Sequence, residues 1–366
     1  MYIFVLILLC LAFSLSDDTI ITAKEPSMKY ELKSLPAYTL RGVNINIDQG
    51  QAKQREDIQN LAQNWKANHV RIQIFTAGVP VDFGELDKSA LEYFKQKVDP
   101  VLEWCKEFNL SVVLDAHGSP GNPSHWTEPK RLLWEDFKWH ENFIRLWREI
   151  AEYYKDNKII VGYELLNEPN MQEQIKNTPS DWNLLAKKLT SAIREVDTYH
   201  TIIVGPAQWS NPNGFTSLEP TGDQNTLYTF HMYMPHQFTH QGVWDSTIGV
   251  QYPGMIKDQK WDKEALINAM KPAIEFQRKN NLPRLYVGEF SSIIWAPDKN
   301  SYNYLHDLLE IFEIEGWDWA YHAYREWFGW SLEHEGVDRN NVKNVGNTDR
   351  LELFKSYFVR NRFGIE

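Results

Sequence analysis

"IIVGYELLNEPN", residues 159–170, is the stretch on which the fold turns. Its near-continuous apolar run reads as a β-strand covered on both faces, the habit of strands in parallel sheets. The run closes on Asn167-Glu168, and Pro169 stops it, because proline cannot donate to a sheet ladder. Glu168 is therefore expected at the carboxyl end of the strand, on a rim. Glu164 lies four residues earlier, roughly 13 Å deeper at about 3.3 Å per residue. It is expected to be a buried, hydrogen-bonded residue rather than a reactive one.

Similar runs recur along the chain. "TLRGVNINI" (39–47), "HVRIQIF" (69–75), "SVVLDAH" (111–117), "TIIVGPAQW" (201–209), "LYTFHMY" (227–233), "RLYVGEF" (284–290) and "WDWAYHAY" (317–324) all read as strands. Helical stripes fill the gaps. Ile58, Leu61, Ala62 and Trp65 fall at i, i+3, i+4 and i+7, and Ile144, Trp147, Ile150, Ala151 and Tyr154 form another stripe. Pro100 interrupts a third stripe running from Leu91 to Cys105, so a kink or restart is expected there. Ser180-Asp181 caps a fourth helix, and Gly316 ends one that starts near residue 302. Eight strands with intervening helices predict an α/β chain folded as a (β/α)8 TIM barrel. A doubly wound open sheet is the alternative, but it would normally carry a Gly-rich phosphate turn after the first strand, and "VNINIDQG" has none. Residues 236–262 are expected to form a long loop after strand six, and 333–348 a polar stretch after the last strand.

Of 366 residues, the first sixteen, "MYIFVLILLCLAFSLS", hold an apolar run too short to span a bilayer, which reads as a signal peptide although Lys and Arg are missing from its start. A secreted catalytic domain over residues 17–366, acting as a monomer, is the expectation. No later stretch is long and apolar enough for a membrane helix. Cys10 falls in the leading segment and leaves Cys105 alone, so neither an internal disulfide nor a cysteine metal site is expected. The net charge of −11 speaks against nucleic acid and against polyanions, whose phosphates or carboxylates need Lys and Arg. Fifteen Trp and 17 Tyr imply either a Trp-rich core or a cleft that stacks rings on something flat.

Barrel chemistry sits at the carboxyl ends of the strands. The polar or ring-bearing residues expected there are Arg71, His117, Asn167, Glu168, Trp209, His231, Tyr233 and Glu289. Two rim carboxylates in one barrel, Glu168 and Glu289, are the equipment for cleaving a glycosidic bond. One protonates the leaving oxygen, and the other attacks the anomeric carbon or directs water to it. Their pKa values must then be split. Arg71 is suited to holding one of them charged, Tyr233 to donating a hydrogen bond to it, and Asn167 to meeting a sugar hydroxyl. His231, His236 and His240 show no metal-ligand spacing, and the chemistry needs neither metal nor cofactor. No strand-end lysine stands out for Schiff-base chemistry. A non-hydrolytic carbohydrate-binding barrel would have no need of both glutamates, whereas a transglycosylase would keep them.

"DAHGSPG", "LLNEPN", "FHMY" and "YVGEFSS", in that order, resemble glycoside hydrolase family 5, the large family of cellulases and related β-glycanases. The resemblance implies a retaining barrel enzyme with Glu168 as acid/base and Glu289 as nucleophile. It makes Arg71, His117, Asn167, His231 and Tyr233 their supporting shell. The family usually has a Trp in strand eight as a floor for the sugar. Here "WAYHAYREWFGW" puts His322 or Tyr324 near that place, with Trp327 just downstream as a substitute. "HGSPGNPSHWTE" (117–128) resembles the corresponding loop of the family's exo-β-1,3-glucanases. Trp126, Trp209, Trp244 and Trp327 suit the apolar faces of flat hexose rings. The expected substrate is a neutral β-glucan, β-1,4-linked first, with β-1,3-glucan next and mannan or xylan chains behind.

Overall fold

The computed structural model describes residues 29–49, 54–76, 88–121 and 132–363. The leading segment and Trp126 lie outside them. Among the described residues, β1 (Arg41–Asn46), β2 (His69–Ile74), β3 (Ser111–Ala116), β4 (Ile160–Glu164), β5 (Thr201–Val204) and β6 (Thr226–Met232) form six successive parallel strands. A two-stranded hairpin follows, β7 (Gly254–Ile256) with β8 (Gln259–Trp261), before the sheet resumes with β9 (Tyr286–Phe290) and β10 (Asp318–Tyr321). The barrel closes where β10 pairs in parallel with β1, Trp319 beside Arg41 and Tyr321 beside Val43. That closure excludes the open sheet.

The barrel strands are buried along nearly their whole lengths, as apolar runs covered on both faces require. Helices start and stop where the sequence says. Asp181 accepts a hydrogen bond from the Leu184 N–H to cap Trp182–Arg194, and Gly316 takes φ 69° at the end of Asn300–Glu315. The expected interruption at Pro100 is a restart: a π-helical turn, Phe94–Val98, gives way to helix Asp99–Glu107 with proline in its first turn.

Two stretches expected to be loops carry more structure than that. Residues 236–262 contain a short helix, His236–Thr239, as well as the β7–β8 hairpin. The buried Gln241 side chain bonds both backbone groups of Val250, donating to its carbonyl at 3.1 Å and accepting from its N–H at 2.9 Å. A side chain thus satisfies the backbone polar groups that an irregular buried segment would leave unpaired. Residues 334–344 form a second hairpin, β11 (His334–Asp338) with β12 (Asn341–Asn344). The regular strands are also shorter than the apolar runs that mark them: β4 ends at Glu164, and β5 at Val204.

Tryptophan is divided between the core and the surface. Trp147, Trp182, Trp317 and Trp319 are fully buried, whereas Trp209 and Trp244 are exposed. Two buried indoles shape the rim. The Trp147 N–H donates to the Leu165 carbonyl at 2.9 Å and the Trp182 N–H to the Gly205 carbonyl at 2.8 Å. A buried indole N–H needs such a partner, and these two pin the chain just past β4 and β5, where the rim residues begin.

Candidate active site

The centre of the site is Arg71 on β2, fully buried. Its guanidinium donates twice to Glu164, at 2.7 and 2.9 Å, once to Glu289 at 2.8 Å, once to Asn44 at 2.7 Å and once to Asn167 at 2.8 Å. Asp115 lies 3.1 Å from the same group. The planar fork of arginine has the donors for such a set, which a lysine lacks. Glu164 is buried and hydrogen-bonded as expected, but it lies directly beneath the rim rather than far below it. The regular strand ends at Glu164, although Leu165 and Asn167 still bond the neighbouring strands, and one guanidinium bridges Glu164 and Glu289.

Tyr233 donates to Glu289 Oε2 at 2.9 Å, and His231 Nδ1 lies 2.8 Å from Glu168 Oε1 and 3.7 Å from Glu289. Gly288 makes room for this. A Cβ there would stand 3.2 Å from His231 Nε2 and 2.9 Å from the Thr229 hydroxyl. His117 bonds Asp115 at 2.7 Å and Asn167 at 3.3 Å. Oxygens of Glu168 and Glu289 and a His231 nitrogen all lie within 4.8 Å of one another.

The electrostatics separate the carboxyl groups. Burial opposes ionisation of Glu289, but His231, His322, Arg71 and His117 outweigh it and hold this carboxyl well below the usual range. Burial drives Asp115 up to about 7 and Glu164 upward, against the pull of Arg71. Burial resists a charge on His231 too, but Glu289 and the hydrogen bond to Glu168 raise its pKa. His117 falls to about 4 because it is buried. Tyr233 is held protonated by burial and the Glu289 charge, and so remains a donor. Arg71→Met would leave Asp115, Glu164 and Glu289 without their shared cation. It is expected to cost on the order of 3–5 kcal/mol, a Tm loss of roughly 10 °C, measurable by thermal unfolding. A Tm within about 2 °C of wild type would show that the carboxylates find other compensation.

Arg71, His117, Asn167, Glu168, His231, Tyr233 and Glu289 therefore converge in space. Trp209 stands on the rim with φ 56°, its backbone N–H bonded to the Pro169 carbonyl, and the residue is 55% exposed. Trp244, also exposed, stacks on His236 and His240, whose rings lie 3.8 Å apart. Trp327 packs on Trp295, Phe328 and Trp330, and only Trp330 of that cluster reaches Tyr233, at 6.5 Å between ring centres. The residue that meets Glu289 from β10's end is His322, 3.6 Å from Oε2 and 3.8 Å from Glu326. Tyr324 is buried elsewhere, against Trp65. Asn44, Gln73, Asp115 and Glu326 were not singled out in the sequence. Stepping two residues from Arg71 and His117 along their strands reaches Gln73 and Asp115 on the same faces. Glu326 follows the strand in irregular chain and has no periodic signal.

A match to the family model described as cellulase, glycosyl hydrolase family 5, spans residues 30–336, the barrel and its rim. Endoglucanase C of Acetivibrio thermocellus is 30% identical over 296 residues, covering 73% of this chain and 83% of that protein. Cellodextrinase A of Ruminococcus flavefaciens is 26% identical over 264 residues, covering 71% and 75%. Among solved structures, Thermotoga maritima Cel5A in complex with cellobiose superposes with a TM-score of 0.68 at 27% identity, over 86% of this chain and 96% of that one. With the closed barrel and the extent of these matches together, the chain belongs to glycosyl hydrolase family 5 and is a glycoside hydrolase.

Proposed function

We propose that this enzyme hydrolyses β-1,4-linked glucans with retention of anomeric configuration, with Glu289 as nucleophile and Glu168 as acid/base. The observation that carries the reading is the approach of the two carboxylates, whose oxygens come within 4.8 Å. Retaining glycosidases hold their carboxyl groups about 5–5.5 Å apart, and inverting ones about 6.5–9.5 Å, to admit a water. The division of roles follows the surroundings. Glu289 is nearly buried, accepts from Arg71 and Tyr233, and is kept ionised, as a nucleophile must be. Glu168 is more open to the cleft, with a side chain 19% exposed, and has His231 at hydrogen-bond distance for proton exchange. Asn167, tied to Arg71, presents its amide beside the reacting carbon. The glucan assignment draws on the endoglucanase and cellodextrinase relatives, on the net charge of −11, and on Trp209 exposed beside Glu168. The apolar leading segment supports export, where such polymers are met.

The test is turnover of barley β-glucan, carboxymethyl-cellulose, laminarin, mannan and pectate under one set of conditions, with the first-formed anomer read by NMR. The expected result is the highest kcat/KM on the two β-1,4-containing glucans and the β-anomer first. Preference for laminarin or mannan would discard the linkage or the sugar and keep the mechanism. The α-anomer first would discard retention. Binding without turnover of any polymer would favour a carbohydrate-binding barrel.

A further inference from the structure

Arg350 has no place in the chemistry above, yet its surroundings are unusual. It lies in the first turn of helix Asp349–Phe358, is 4% exposed, and donates one hydrogen bond, from Nη2 to the His334 carbonyl. Nη1 is buried without a hydrogen-bond partner, and among the described residues no carboxylate forms an ion pair with the group. Asp349 and Glu335 favour its charge only from beyond ion-pair distance, and a buried guanidinium without a close counter-charge is a costly arrangement. Burial accordingly weakens its hold on its proton.

The same side chain lines a cavity of about 800 Å³ between the β11–β12 hairpin and the segment that follows β9. Ser301 lines it as well, also 4% exposed, and its hydroxyl too is buried without a partner. Ser301 belongs to the first turn of the sixteen-residue helix Asn300–Glu315, whose N-cap, Lys299, makes no side-chain capping bond. The uncapped amino terminus of Asn300–Glu315, a buried cationic fork and a free hydroxyl thus meet at one cavity, and each favours negative charge, whereas the start of Asp349–Phe358 is already capped by Thr348. Asp298, Glu335 and Asp349 also line it, but all three are exposed. Exposed carboxylates are screened by solvent and salt, whereas Arg350 and Ser301 are not. An acidic border around a buried cationic floor rejects polyanions and admits a small, singly or doubly charged ion.

We propose that this cavity is a binding site for a small oxyanion of the phosphate, sulfate or carboxylate class, held by Arg350 and Ser301. The site is separate from the glycosidase centre and does not rest on the roles given to Glu168 and Glu289. Occupancy would tie the β11–β12 hairpin to the segment after β9, because each contributes lining residues.

The experiment is thermal unfolding of the full chain in phosphate, sulfate, acetate or chloride at fixed pH and ionic strength, with calorimetric titration of phosphate. The expected result is a Tm that climbs with oxyanion concentration, by roughly 5 °C at a hundredfold excess over Kd. Arg350→Met removes the unpaired charge, so it should match or exceed the wild-type Tm in oxyanion-free buffer and lose the oxyanion response. Ser301→Ala should fold normally and bind phosphate about tenfold more weakly, which keeps the test decisive if Arg350→Met does not fold. A wild-type Tm indifferent to oxyanions together with no heat of phosphate binding would overturn the site, as would a response that persists in Arg350→Met. An equal response to chloride would overturn the oxyanion assignment.

Discussion

Glu289→Gln is expected to lower kcat by on the order of 10⁴–10⁶-fold, the scale seen when a group central to covalent catalysis is removed. Glutamine keeps the shape and can still meet Arg71 and Tyr233, but it cannot attack the anomeric carbon. The loss should be similar for aryl glycosides with good and poor leaving groups, since bond formation to the sugar fails in both. The fold should survive. Three carboxylates, Asp115, Glu164 and Glu289, crowd one guanidinium, and neutralising one relieves their repulsion. A near-native Tm with lost turnover would separate the chemical role from a structural one. Wild-type turnover in this variant would sink the assignment of the nucleophile.

Glu168→Gln should behave differently, and the difference identifies the acid. On glucan, where the departing hydroxyl is a poor leaving group, kcat is expected to fall by about 10²–10⁴-fold, the usual contribution of a positioned proton donor. On dinitrophenyl glycosides, where the leaving group needs little help, formation of the glycosyl-enzyme should be nearly unimpaired. Its hydrolysis should then be slow, because the same residue must deprotonate the incoming water. A burst of dinitrophenol followed by a slow steady state is therefore the expected trace. Equal losses on glucan and on the activated glycoside, with no burst, would remove Glu168 from the acid/base role. His231 would then come under test, since it lies 2.8 Å from Glu168 and 3.7 Å from Glu289.

Much of this protein could be read from local pattern. Strands buried on both faces are written as apolar runs, and helices packed on them as stripes of period 3.6, so the alternation announces a barrel before any contact is known. A proline at position 169 stops the apolar run, and the barrel puts strand ends at the rim, so Glu168 and Glu289 could be named from position alone. What local pattern could not give is which groups share a partner. Arg71 bonds Glu164, 93 positions away, across β3, and Glu289, 218 positions away, which the closure of β10 on β1 brings round to β2. The pairing of β10 with β9 brings His322 to Glu289, while Tyr324 is buried against Trp65, a choice between neighbours that apolar periodicity does not encode. Arg350 reads in the sequence as one more surface charge beside Asp349, and only the tertiary packing around its helix buries it. Secondary structure follows from short-range sterics and the solvent preference of each side chain, which every residue carries with it. The pairing of buried charges depends on distances between remote segments, and those exist only once the chain has folded.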